Sequence, residues 1–327
     1  MTKQVNLNGL LKKVLVILCA SPLIALAQEW PNKPITFINP FPAGGGTDAF
    51  ARPLAAQLTE QLGKQILIDN RGGAGGTVGA SVAAKAAPDG YTWFVGASHH
   101  TIAPSMYKNL DYDIEKNFIP VAMIANVPQV LVVNPSRVSA RNAKEFEQLM
   151  KKNPGKYNYA SAGSGTVHHL AGELYKIQTG TFITHIPYRG AGPAMNDLLA
   201  GQIDLEFDGL ATSAPQINAG KLVAIAVASN KRSSAIPNVP TFQEAGLPDY
   251  LVSTWYSLFA PAGTPKPIVD KMIVEVQKAL NTPKMKSIWE KNGSDTPNLT
   301  GDAFGKLVSA DIARWSAVVK KSGATLD

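Results

Sequence analysis

Residues 34–63 read PITFINPFPAGGGTDAFARPLAAQLTEQLG. PITFIN is a short, β-favouring alternating run, and PAGGG after it is a turn with almost no side-chain volume. Thr47 and Asp48 then precede a helical apolar spacing that Gly63 ends. The order is strand, glycine loop, helix. The same order follows at once: QILIDN is a strand, RGGAGGTVG a second glycine loop, and ASVAAKAA a short helix stopped by Pro88-Asp89-Gly90. YTWFVG supplies a third strand. Recurrence of this unit predicts a mostly parallel sheet with helices on both faces.

The pattern resumes beyond IPVAMIANVPQVLVVNP. A helix is expected over 143–152, YNYASAGSG runs as a strand into another glycine loop, and residues 166–179 have helical spacing. THIPY, IDLEFDG and LVAIAVAS read as strands, and residues 191–200, 267–280 and 302–321 as helices. The apolar faces of the last two need a sheet to cover, which predicts that the C-terminal part returns to the first domain. No fixed-period solenoid repeat is present.

Composition sets the class. Of 327 residues 45% are apolar and 17% charged, a mixture that excludes collagen-like, coiled-coil and disordered chains. A chain this long buries roughly 75% of its extended surface, more than a single core usually accommodates, so two domains are expected. At the N-terminus, Lys12 and Lys13 precede the apolar run VLVILCASPLIALA, which exits through Ala25 and Ala27. That is the layout of a cleavable export signal over residues 1–27, and the run is short for a membrane span. Bulky Leu18 beside Cys19 argues against a lipoprotein signal. Lys3, Lys12 and Lys13 are its only charges, so cleavage lowers the formal charge from +7 to +4. Cleavage also removes the only cysteine, leaving a mature chain that needs neither disulfide nor thiolate metal site and suits a bacterial periplasm. The modest positive charge favours anionic ligands, and no basic block interleaved with aromatics points to nucleic acid.

Two loops carry the binding argument. Phe41, Pro42, Ala43, Gly44, Gly45, Gly46, Thr47 and Asp48 lead into a helix, where amide donors and the positive end of the dipole can meet an anion; an ordinary turn capped by Thr47 or Asp48 is the alternative. The spacing is neither GxGxxG nor GxxxxGK(S/T), and Asp69 alone does not make a nucleotide site. Ala162, Gly163, Ser164, Gly165 and Thr166 repeat the arrangement after Ser161, with hydroxyls beside the amides; here too, capping and turn chemistry is the alternative. The GxSxG spacing of a nucleophile elbow is absent.

The histidines occur as the adjacent pairs His99-His100 and His168-His169, whose side chains diverge on regular elements and cannot make an HExxH face. His169 opens the helix after the second cradle and has the better ligand case, whereas His168 and His185 default to structural roles. A metal site across the pairs is the less economical reading. Asp204 and Asp208 share a strand face. Asp208, near the strand end, is either an acceptor for a ligand amine or hydroxyl or a satisfied turn carboxylate. Arg71 and Arg189 are expected in structural salt links.

PFPAGGGTDAFARPLA, NRGGAGGTVGA, AAKAAPDGYT, ASAGSGTVHHLAGELY, HIPYRGAGPAMNDLLAGQIDLEFD, IPNVPTFQEAGLP and APAGTPKP, in this order, resemble the extracytoplasmic solute receptors of the tripartite tricarboxylate transporter family, also called Bug receptors. The resemblance spans the mature chain from Trp30 onward. It implies an α/β, two-domain type II periplasmic-binding-protein fold that closes around a small organic anion, with domain I over 28–127 and 253–327 and domain II over 128–252. It places the loop from Phe41 to Asp48 and the region of Ser98, His99, His100 and Thr101 on the first side of the cleft. Ala162, Gly163, Gly165, Thr166 and His169 fall on the second, with Asp208 near the pocket. It implies a periplasmic binding protein without catalysis or cofactor, which captures a dicarboxylate, tricarboxylate, aromatic carboxylate such as nicotinate, or acidic amino acid. The implied partner is a membrane permease; a signalling receptor, or more remotely a secreted hydrolase, are the alternatives.

Overall fold

A computed structural model describes residues 30–323; the expected export signal lies outside them. The opening unit is β1 (Ile35–Asn39), α1 (Gly46–Leu62) and β2 (Ile66–Asn70). Gly63 ends α1 in the left-handed region, φ 64°, and its amide donates to the Thr59 carbonyl at 3.0 Å. After a short 3₁₀ turn at Ala74–Gly76 come α2 (Thr77–Ala84), β3 (Thr92–Ala97) and α3 (His99–Met106). α3 was not legible from HHTIAPSM, where Pro104 and two polar rings obscure the helical period. β1 lies parallel to both β2 and β3, with Ile35 opposite Ile66 and Phe37 opposite Trp93.

The second half contains α4 (Ala143–Lys152), β5 (Asn158–Ser161), α5 (Val167–Thr179), β6 (Thr184–Pro187), α6 (Ala191–Leu199), β7 (Leu205–Gly209), α7 (Leu210–Asn218) and β8 (Val223–Val227). β5 is parallel to β6 and to β7. Two antiparallel strands join the halves, β4 (Phe118–Val133) and β9 (Ser253–Pro261). The main strand order is therefore β2-β1-β3-β9-β4-β7-β5-β6, with β8 also paired to β4. β4 spans 16 residues, roughly 50 Å of extended chain. Its Phe118–Pro128 segment pairs with β9, and Gln129–Val133 runs between β7 and β8. At the crossing the Gln129 amide donates to Val252 and its carbonyl accepts from Ala228, while its buried side chain donates to Thr254 Oγ1 at 2.9 Å.

The C-terminal part adds α8 (Lys266–Asn281), α9 (Pro283–Lys291), β10 (Leu299–Thr300) and α10 (Gly301–Ser322). α8 lies on α1, where Gln61 Nε2 donates to the Glu275 carbonyl and carboxylate. Trp289 of α9 donates to the Ile124 carbonyl at 2.6 Å and packs edge-on to Phe50. α10 reaches further than the sequence reading placed it. Its Phe304 meets Trp255 edge-on and packs tilted against Phe259 in the first half, but Trp315 and Val319 are buried with Ile102, Met106 and Phe207 in the cluster of the second. No helix among the described residues is long and apolar enough to cross a membrane.

Phe259 touches the rings of Phe94, Phe118 and Phe304 and is fully buried, so it ties α10 to the first sheet. Phe259→Ala is expected to cost about 3–5 kcal/mol of unfolding free energy, measured by urea denaturation followed by circular dichroism.

Candidate ligand-binding cleft

The two glycine cradles face each other. Phe41, Gly45, Gly46 and Thr47 enclose one side of a small cavity together with His99 and Tyr256, and Ala162, His168 and Ala191 enclose the other. The remaining space is about 10 Å³, room for about one water. The halves touch directly across it. The Val167 amide donates to His99 Nδ1 at 3.0 Å, and the Tyr107 hydroxyl donates to the Ser164 carbonyl at 3.0 Å. A Cβ on Gly75 would lie 2.8 Å from that same carbonyl, and one on Gly192 would lie 3.0 Å from the carbonyl of Ala43. Glycine is what lets these rims meet.

Four helices begin at this cleft: α1 at Gly46, α3 at His99, α5 at Val167 and α6 at Ala191. Each turns its first-turn amides and the positive end of its dipole this way, although in α5 the Val167 amide is taken by His99 and the His169 amide by Thr166. No Lys or Arg lines the cavity among the described residues. His99 accepts the Val167 amide at Nδ1, so its neutral ring carries the proton on Nε2. Burial, reinforced by His168 and His100, keeps that ring neutral by holding its pKa well below the ordinary value.

Other predicted residues shape the loops. Asp48 accepts from Asn39 Nδ2, the Gly44 amide and Arg52 Nε, the last at 2.8 Å, and so pins the first loop to the start of α1. Ala43, Gly44 and Asp48 face an outer groove toward α6 and α7. Pro42 fills the space beside Gly72 and Gly190. Ser98 donates its amide to the Trp255 carbonyl, and its buried hydroxyl has no partner. In the second loop the Gly163 carbonyl accepts from Thr166 Oγ1, Thr166 caps α5 by accepting from the His169 amide, and the Gly165 amide donates to His169 Nδ1.

The structure separates the two histidines of α5 differently from the sequence reading. His169 stacks on His185 with ring centres 4.0 Å apart, away from the residues that enclose the cavity. It is His168 that lines the cavity, edge-on to His99. Asp208 lies beneath: Oδ2 accepts from the Thr212 and Ser213 hydroxyls and Oδ1 has no partner. Glu206 points to the same place, since strand alternation gives β7 residues two apart one face. Burial and the neighbouring Asp208 push its pKa up to about 7. Sequence reasoning passed over Glu206 although it sits between Asp204 and Asp208, and passed over Tyr256, which no motif marks. Asp204 is structural, paired with Arg137 at 3.0 Å and accepting the Asn158 amide. Arg71 pairs with Asp69 as expected, whereas Arg189 is exposed and makes no ion pair among the described residues.

A family model described as the tripartite tricarboxylate transporter family receptor matches residues 50–324. The chain belongs to this family. BugT of Bordetella pertussis is 34% identical over 325 residues, which cover 98% of this chain and 99% of BugT. Among solved structures, Rpa4515 of Rhodopseudomonas palustris with adipate is 35% identical with a TM-score of 0.88, covering 91% of this chain and all of that one. MatC of the same organism with bound malate is 35% identical with a TM-score of 0.84, covering 89% and 100%. The fold is the two-domain α/β architecture of periplasmic binding proteins, and the family's receptors bind in the periplasm without catalysis. The close Ser161–His185 contact of 2.6 Å fits that assignment, because burial pushes His185 down to about 3 and leaves it a feeble base.

Buried neutral histidines give the receptor a pH signature. His100 accepts the Ala97 amide at Nδ1 and faces the Gly76 carbonyl with Nε2, and burial lowers its pKa from 6.5 to about 4; His185 falls to about 3. The unfolded chain therefore takes up protons first. Stability is fully present above pH 6.5 and is lost as pH falls from there toward 4, by about 1.4 kcal/mol per pH unit for each such histidine. Urea midpoints measured between pH 7.5 and 4.5 should show this slope less the one proton that Glu206, raised to about 7, holds in the folded state, and His100→Gln should reduce it by one proton.

Proposed function

We propose that this receptor captures a small dicarboxylate between its two domains and delivers it to a permease of the tripartite tricarboxylate transporter type. The observation that carries the reading is the convergence of four helix N-termini on one cleft without a lining Lys or Arg. An anion in such a place exchanges its hydration for fixed amide donors, which need no reorganisation on binding. His99 Nε2–H and the Thr47 hydroxyl, neither held by a protein group, add two directed donors. Amides on both sides suit a ligand with a carboxylate at each end, and the adipate and malate of the two related receptors are ligands of that kind.

In this reading domain I comprises 28–127 and 253–327 and domain II comprises 128–252, and the domains part by bending at Gln129 and Val252–Thr254. A cavity of about 10 Å³ is too small for a dicarboxylate, so entry requires that opening. The Val167–His99 and Tyr107–Ser164 hydrogen bonds then act as latches whose re-formation is coupled to ligand uptake. A permease that reads the closed surface receives only loaded receptor.

Calorimetric titration of the mature protein against mono-, di- and tricarboxylates should give one saturable site preferring a dicarboxylate. Lack of binding across that panel by folded protein would overturn the reading. His99→Leu removes a donor to the ligand and a latch together and should weaken binding about 10–100-fold. Tyr107→Phe removes only a latch and should weaken it a few-fold.

A further inference from the structure

We propose that His168, Glu206 and Asp208 form a binding site for one divalent first-row transition-metal ion, with Zn²⁺ as the reference ion, beneath the floor of the cleft. β7 directs both carboxylates to one side, and the second residue of α5 brings an imidazole over them. His168 Nδ1 lies 3.7 Å from Glu206 Oε1 and 3.6 Å from Asp208 Oδ1, and the three atoms fall within 4.8 Å of one another. Those separations are too long for hydrogen bonds. They are near the spacing of donors that share one ion at about 2.0–2.2 Å.

All three atoms, and Glu206 Oε2 besides, lack any hydrogen-bond partner, in residues only 2%, 0% and 0% exposed. Such a concentration of unpaired polar atoms in buried side chains calls for a counterpart. One shared proton pairs two of the atoms and leaves the others, and it leaves a net negative charge. A divalent ion answers both carboxylates and the imidazole at once and brings the site to neutrality. Imidazole nitrogen with carboxylate oxygen is a ligand set for Zn²⁺, Mn²⁺ or Fe²⁺. The second Asp208 oxygen is already held by the Thr212 and Ser213 hydroxyls, the outer support that fixes a ligating carboxylate. Three protein ligands leave a position open, and His168 belongs to the cavity wall with Tyr256, whose hydroxyl makes no hydrogen bond among the described residues.

The mature, untagged protein, stripped with a chelator and dialysed, would be titrated with ZnCl₂ by calorimetry and weighed by native mass spectrometry. One ion per chain is expected, with a nitrogen and oxygen shell and no sulfur by X-ray absorption. Glu206→Gln and His168→Asn should each weaken binding at least tenfold while melting as cooperatively as wild type, and His185→Asn should leave it unchanged. Absence of saturable binding by Zn²⁺, Mn²⁺ and Fe²⁺ (the last under anaerobic conditions), or Zn²⁺ binding that survives both substitutions, would overturn the proposal. Should one variant fail to fold, the other together with the wild-type absorption spectrum decides. The proposal does not rest on the carboxylate reading. Titration of a dicarboxylate with and without chelator separates the two, since ion binding without carboxylate binding would sink only the receptor reading, and the reverse only the metal site.

Discussion

Everything at the cleft depends on one strand belonging to two places. β4 pairs with β9 along its first eleven residues and with β7 and β8 along its last five, and the change occurs at Gln129. Because backbone hydrogen bonds continue through the change, the two halves cannot slide independently, and their glycine loops are held in opposition. The buried Gln129 side chain, held by Thr254 Oγ1, joins the outgoing strand to the returning one at that point.

Much of this was legible in the sequence. Each strand, glycine loop and helix of the opening unit follows from local rules, and the same rules locate 143–152 as a helix to the residue. The cradle residues Phe41, Gly45, Thr47, His99 and Ala162 all reach the cavity wall. What local rules do not carry is depth. His169 has the better ligand case in the sequence because it opens the helix after the cradle, yet the pitch of α5 against β7 sends His168 to the cavity and His169 onto His185. Tyr256 escapes for the same reason: its strand comes from residues 253–261, far along the chain, and its meeting with Gly46 is a fact of topology.

The second cradle shows how little separates a binding loop from an ordinary cap. Thr166 caps α5, and Gly163 and Gly165 take positive φ values of 132° and 74° that a tight turn asks for. Of the two alternatives read from AGSGT, it is the capping and turn chemistry that the loop displays. Turn chemistry shapes it, and Ala162 brings it to the cavity without adding bulk.

α10 is anchored at both ends, by Phe304 in one core and by Trp315 in the other, with Asp311 accepting from Trp255 Nε1 at 2.5 Å between them. A helix fastened across a joint behaves as a stay. It lies behind the crossing strands and resists bending more than an extended strand does, so the opening proposed above works against it until a tryptophan leaves its socket. On the opening proposed above, this brace joins the cleft loops in setting the longest anion that enters.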